Sequence, residues 1–315
     1  MSRLVGTGAV MVDIVLGVPH LPPQGGDVVA MSHRTTVGGG LNVLAAARRD
    51  GLPGVFAGRT GTGPFADLVG AALREEGLEA WLPPVPDLDN GFCVVLVDET
   101  AERTFVTSPG AEEQVTAADL DRLVVAPDDA VHVSGYALAS RTRSGPLAAW
   151  VSALPAGPTV VLDASPLVGQ VASGVLRAVL DRVDLLTCNA REAAVLAPGD
   201  DDEPATTASA LRALLAPHAL VVVRDGEHGT WAAGPDRSAP WHVPAHQVVA
   251  VDTTGAGDAH TGVLVAALAR GWSVPDAVQR ANVAAALAVT QHGPATAPAG
   301  AELDVALELY RERLR

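Results

Sequence analysis

The chain has 315 residues, 48% apolar and 18% charged, enough for a large core and, by length, for two domains or one α/β domain with an appendage. A net charge of -15 and a pI near 4.9 argue against nucleic acid as a partner, and an anionic substrate would need a local cluster of arginines. All 21 basic residues other than histidine are Arg, and the lack of Lys excludes Schiff-base chemistry and a Walker-type phosphate clamp.

Leu4 to Met11 reads as a first strand ending at Asp13. It begins at once, with no long apolar signal region, and no segment approaches about twenty uninterrupted apolar residues, so a soluble cytoplasmic protein without a membrane partner is expected. Cys93 and Cys188 lie far apart in apolar runs and suggest neither a disulfide framework nor a metal site. Ile14 to Leu16, Val28 to Met31 and Arg34 to Val37 are short strand candidates separated by Pro and Gly, and Phe92 to Val97 pairs with Arg103 to Val106 across the turn Asp98-Glu99-Thr100-Ala101-Glu102. These pieces, about 14–37 and 92–106, are expected to form a small sheet standing off the main body; ordinary edge strands are the alternative.

Between them come a helix at Leu41 to Arg49, a strand at Gly54 to Ala57 and a helix at Phe65 to Glu76. Beyond Thr107, strands are expected at Ala130 to Val133, Thr159 to Leu162, Asp184 to Thr187 and Leu220 to Val223, each followed by a helix. That alternation predicts one α/β unit over 1–315, a doubly wound and mainly parallel central sheet with helices on both faces and a small β-sheet lid. Gly199-Asp200-Asp201-Asp202-Glu203 and Pro204 to Ser209 read as a solvated loop, Val248 to Val251 as a strand, and Asp258 to Arg270, Pro275 to Thr290 and Ala301 to Arg313 as closing helices.

The chemistry concentrates in Asp252-Thr253-Thr254-Gly255-Ala256-Gly257-Asp258-Ala259-His260-Thr261-Gly262. Two glycines permit a tight turn into a helix, whose first N–H groups lack intrahelical partners and form an anion site at the positive end of the dipole. A carboxylate there, Asp258, suits a general base better than a phosphate ligand; the plain alternative is an N-cap. Upstream, Gly38-Gly39-Gly40-Leu41-Asn42 opens an Ala-rich helix, where glycines admit a ligand to the backbone and Asn42 can donate and accept; a tight turn with a capped helix is the other reading. Asp13 at a strand end can grip a diol or serve only a turn. Asn189 and Glu192 stand one helical turn apart after a buried strand, facing the crevice or capping their helix.

Asp252 to Gly262 resembles the second signature of the ribokinase-like (PfkB) carbohydrate kinases, whose final Asp is the catalytic base, and Gly39, Gly40 and Asn42 resemble the first, sugar-binding signature. The resemblance implies an ATP- and Mg²⁺-dependent kinase: Asp258 as base, Gly255, Ala256 and Gly257 around the transferred phosphoryl group, and Asp13 on acceptor hydroxyls. Asn189 and Glu192 would serve Mg²⁺, its waters and the phosphates; Arg224, Gly226, Gly229 and Thr254 the nucleotide; Asn282 the adenine. Asp252, Thr254 and the segment Ala288 to Gly293, ending at Gly293, would form a monovalent-cation (K⁺) loop, chiefly through carbonyls. Pairing of exposed lid strands into a homodimer is also implied, with Val28 to Val37 a suitable edge. Departures are Arg224 where Thr is common, His260 where Phe is usual, the missing Asp in Thr60-Gly61-Thr62-Gly63-Pro64-Phe65-Ala66, and no clear substrate-side acid around Ser134-Gly135-Tyr136. They speak against ribose by default. A phosphosugar acceptor would need arginines such as Arg34, Arg59 and Arg103, and a nucleoside would need stacking on Phe92, Phe105 or Trp81. A catalytically silent sugar- or nucleotide-binding protein is the other class, against which intact Gly255, Gly257 and Asp258 argue; a nicotinamide dehydrogenase lacks its glycine fingerprint after the first strand.

Overall fold

A computed structural model of the chain describes residues 2–100, 102–199 and 202–313; Ala101 of the expected hairpin turn and Asp200 and Asp201 of the expected acidic loop lie outside them. In chain order the strands are β1 Leu4–Gly6, β2 Val10–Gly17, β3 Ser32–Gly39, β4 Gly54–Phe56, β5 Glu79–Ala80, β6 Phe92–Val97, β7 Arg103–Ser108 and β8 Ala130–Ser134. They continue as β9 Thr159–Asp163, β10 Leu185–Asn189, β11 Leu220–Arg224, β12 Thr230–Ala233 and β13 Trp241–Val243.

The large sheet has the order β13-β12-β11-β10-β9-β8-β1-β4-β5, parallel from β11 to β5 and antiparallel only at β12 and β13. Its central strands are continuous β-branched and Leu runs because both faces are covered. Alternation along each strand divides them: Val161, Leu220 and Val222 enter one core, Val160, Leu162, Val221 and Val223 the other. Helices Gly40–Arg49, Ala256–Ala269 and Val274–Ala288 close the first face through their buried Ala, Val and Leu side chains. The small sheet has the order β3-β2-β6-β7, with a parallel centre and antiparallel edges. No helix among the described residues is long and apolar enough to cross a membrane.

Five local expectations are corrected. The first apolar run is two strands: after Gly6 the Thr7 N–H goes to His132 O, and from Val10 the chain pairs with β3, so Asp13 lies within β2 of the small sheet. Val28 to Met31 is not a strand: it meets β2 just at its end, where the Met31 N–H donates to Gly17 O at 2.7 Å, and Val29 is 83% exposed, so the edge strand begins at Ser32. Val248 to Val251 is likewise not a strand; Val249 is 85% exposed, and the Val251 N–H finds Val289 O in a helix end. β11 is followed by a hairpin to β12 with one 3₁₀ turn, Gly226–His228, and no α-helix, Gly226 and Gly229 having φ +54° and +108°. Pro204–Leu214 is a helix: Pro in the first turn sacrifices only an N–H without a helical acceptor, and Thr207, Ala208 and Leu211 are buried.

Candidate active site

Register alone gathers polar side chains at the carboxyl ends of the parallel strands: Ser134 of β8 pairs with Asp163 of β9, and Asn189 of β10 with Arg224 of β11. Open α/β sheets bind ligands in such crevices. Arg224 is the hub. Its Nη2 donates to Asp163 Oδ1 at 3.1 Å and lies 3.9 Å from Glu192 Oε2, while Nη1 donates to Gly257 O and Thr261 Oγ1, both at 2.9 Å. The Thr261 hydroxyl then donates to Asp163 Oδ2 at 2.9 Å. The unusual Arg is thus held by the protein's own carboxylates and by the first two turns of the helix Ala256–Ala269. Asn189 and Glu192 form a reciprocal capping box, with N–H to carboxamide oxygen at 2.8 Å and N–H to carboxylate at 2.9 Å. Capping therefore fixes Glu192 beside Arg224. Burial raises the Glu192 carboxyl above its ordinary range, against the Asn189 N–H and Arg224, which lower it.

Gly255 introduces Asp258. It has φ +77°, and a Cβ there would sit 1.8 Å from Pro294 O, so no other residue fits the turn. Asp258 occupies the first helical turn, where its Oδ2 accepts from Asn42 Nδ2 at 2.8 Å. Burial, seconded by repulsion from Asp163, pushes its carboxyl up to about 7, although Asn42 and Arg224 pull the other way. A group poised there can take a proton near neutrality. Asn42 itself is buried at the start of its helix, and its Oδ1 has no partner. Gly39 lets β3 turn into that helix: it has φ +70°, and a Cβ would meet Ala9 O at 2.5 Å. Gly40 is the helix's first residue, and a Cβ on Gly38 would meet Asp13 Oδ2 at 2.6 Å. Asp13 faces Thr36 across the small sheet, and burial lifts its carboxyl to about 6 against the pull of Arg34. Thr36 Oγ1 and Arg34 Nε are buried without partners.

The other end of the turn is held differently. Asp252 Oδ1 accepts from the Thr254 N–H and hydroxyl at 3.0 and 2.6 Å, and Oδ2 from the Gly293 N–H at 3.1 Å. Arg103 and Arg34 also bind it, at 2.7 and 3.3 Å. Burial raises this carboxyl, but Thr254, the Gly293 N–H and Arg103 outweigh it and bring it down to about 2.

Asn282 is committed inside the protein: it accepts from Thr230 Oγ1 at 2.6 Å and donates to Val243 O and Pro244 O, both at 3.0 Å. His260 packs beneath the site, 3.1 Å from Asn282 Oδ1, and burial pushes its ring down to about 3, so it is neutral there. Gly226 is exposed in the β11–β12 turn, and Gly229, where a Cβ would lie 2.3 Å from Val243 O, closes it. Arg59 lies outside the small sheet, bound to Asp119 and Pro83 O. Sequence reasoning overlooked Asp163 and gave Thr261 no role. The available signal was an acid directly after the apolar run Val160 to Leu162, at the end of a strand neighbouring Asn189's.

In donor chemistry Asp163 and Glu192 suit Mg²⁺, which prefers carboxylate and water oxygens. Residues 1–299 match the pfkB family carbohydrate kinases. An uncharacterized sugar kinase, YegV, of Escherichia coli K12 is 32% identical over 299 residues, spanning 94% of this chain and 91% of the relative. A fructokinase of Vibrio alginolyticus is 32% identical over 277 residues, spanning 82% of this chain and 87% of its own. Among solved structures, a putative ribokinase II from E. coli in its apo form superposes with a TM-score of 0.83 at 21% identity, covering 98% of this chain and 100% of that one, a likeness of fold. With the glycine turn and its carboxylate at the end of a doubly wound sheet, the chain belongs to the pfkB family of carbohydrate kinases.

Proposed function

We propose that the chain transfers the γ-phosphoryl group of ATP to a hydroxyl of a small sugar or sugar-like acceptor, with Asp258 as general base. The observation that carries this reading is Asp258 itself: a carboxyl at about 7, hydrogen-bonded to Asn42 and set in the first turn of a helix that starts at a glycine. Asp258 takes the proton of the acceptor hydroxyl, and backbone N–H groups from Gly255 to Asp258 stabilise charge on the group in transfer. Glu192 and Asp163 would hold Mg²⁺, which would supply neutralisation of the phosphates. Arg224 fixes those carboxylates and the Gly257 carbonyl, and so the shape of the turn. Gly226, Gly229 and Thr254 line the nucleotide side, with Asn189 orienting Glu192. Asn282 would shape the adenine wall by fastening the 243–244 backbone rather than by its own amide.

Asp13, Gly39, Gly40 and Asn42 form the acceptor side, where the unpartnered Thr36 Oγ1, Asn42 Oδ1 and Arg34 Nε call for a polyhydroxylated ligand. A solved complex of a putative ribokinase II from E. coli with ATP and Mg²⁺ and an Arabidopsis ribokinase complex with ribose and ATP support the ligand classes by analogy of fold. Arg34 and Arg103 are spent on Asp252, which favours a neutral sugar over a phosphosugar. The small sheet acts as a lid excluding water, and exposed Phe105 and Val106 on its β7 edge suit pairing of two chains. The test is ADP release from ATP and Mg²⁺ across neutral sugars, sugar acids, phosphosugars and nucleosides, with Asp258→Asn as control. One acceptor that stimulates only the wild type supports the reading; ATP and sugar binding with no stimulation by any acceptor favours a silent binding protein.

A further inference from the structure

Asp252 is saturated by its own chain. Oδ1 accepts three hydrogen bonds, from the Thr254 N–H (3.0 Å), the Thr254 hydroxyl (2.6 Å) and Arg103 Nη2 (2.7 Å); Oδ2 accepts two, from the Gly293 N–H (3.1 Å) and Arg34 Nη2 (3.3 Å). A carboxylate offers about four lone-pair sites, so these donors leave none for an ion. The neighbouring carbonyls are engaged as well. Ala288 O and Gly293 O face the Thr296 hydroxyl at 3.0 and 3.4 Å, and Val289 O takes the N–H groups of Val251 and Asp252 at 2.7 and 3.1 Å. Asp252, Thr254 and Gly293 therefore do not fit the monovalent cation that the family resemblance implies. The positive charge is already present, as two guanidiniums.

Their origin matters. Arg34 lies on β3 and Arg103 on β7, the two opposite edges of the small sheet, and both reach the loop that leads into Gly255. We propose that Arg34 and Arg103 stand in for a monovalent cation at Asp252 and latch both edges of the lid to the catalytic turn. A freely diffusing ion would neutralise Asp252 whether the lid is open or shut; these guanidiniums do so only when it is shut. Lid closure and the charge balance of the turn are therefore one event, and a tethered guanidinium, unlike a free ion, is not lost by dilution.

The turnover arm of the test rests on the kinase reading; the other arms do not. Thermal unfolding and amide exchange of the full chain are compared in KCl and in choline chloride at equal ionic strength, for wild type, Arg103→Gln and Arg34→Gln/Arg103→Gln. The wild type should unfold at the same temperature in both salts. In the double variant the amides of β3 and β7 should exchange about tenfold or more faster, with a smaller effect in the single variant, because the closed lid has lost its tether. K⁺ should then raise the variant's unfolding temperature, since Asp252 is open to an ion. With an acceptor in hand, wild-type turnover should agree within about twofold between the salts. A wild-type unfolding temperature or rate that rises saturably with K⁺ but not with choline would overturn the proposal, as would unchanged exchange in the double variant. If no acceptor is turned over, the unfolding and exchange arms still decide the latch, and only the kinase reading fails.

Discussion

Asp252 and Asp258 flank one glycine turn and are chemically identical, yet their surroundings drive them in opposite directions, one down to about 2 and the other up to about 7. Asp252 gathers two backbone N–H groups, a hydroxyl and two arginines, whereas Asp258 has one amide donor and the repulsion of Asp163. Burial raises both; the donors around Asp252 outweigh it, whereas at Asp258 burial and Asp163 outweigh Asn42 and Arg224. The loop before the turn holds a fixed anion that organises structure. The helix start after it keeps a carboxylate deliberately short of partners, and so able to accept a proton.

The comparison can be broken at several points. Asp258→Asn removes the acceptor of the proton, and turnover should fall by about 10²–10⁴-fold with nucleotide affinity little changed; steady-state kinetics beside nucleotide titration measures both. Gly255→Ala puts a Cβ 1.8 Å from Pro294 O and an L-residue at φ +77°. It should displace the N–H groups beside Asp258, lowering turnover by about 10²-fold or more and stability by about 1–3 kcal/mol. The stability effects of the two acids should have opposite signs. Asp258 near 7 lies above the unfolded value of about 4, so its contribution is full at acid pH and lost as pH rises through 7; Asp258→Asn should be more stable than wild type at pH 8 by on the order of 1–3 kcal/mol, a gain that disappears near pH 4. Asp252 near 2 lies below the unfolded value, so its contribution is full above pH 4 and lost as pH falls towards 2. Asp252→Asn should lose about 1–3 kcal/mol at pH 7, and less as the solution is acidified, in denaturant titrations. The smallest effect is Asn42→Ala, which deletes the one donor that lowers Asp258 by hydrogen bonding and should move the pH midpoint of kcat/KM upwards by up to about one unit.

What could be read from the sequence followed from how locally each feature is specified. The glycine turn, Asp258 and the Gly39–Asn42 helix entry were legible because their requirements fall on consecutive residues: positive φ at Gly255 and Gly39, then a helix start. The doubly wound sheet was legible from uninterrupted apolar strands alternating with helices. Asp163 was not, because its importance lies in Arg224 and Thr261, which reach it from distant elements. The double grip on Asp252 also stayed hidden, since Arg34 and Arg103 read as candidate partners of a phosphorylated acceptor, Arg103 as a substrate-binding residue, whereas both bind Asp252. Val248 to Val251 misled because β-branched residues favour a strand only where a neighbouring strand can pair with them, and Pro204 to Ser209 because its polar composition concealed a buried helical stripe.

The most direct test of Asp258 as the base is the pH dependence of kcat/KM, measured from pH 5 to 9 for the wild type and for Asp258→Asn with the same acceptor. The wild type should rise with pH along a single limb with its midpoint near 7, and that limb should be absent from the residual activity of the variant. A wild-type profile that is flat across this range, or an undiminished limb near 7 in Asp258→Asn, would contradict the account and move the base to another group.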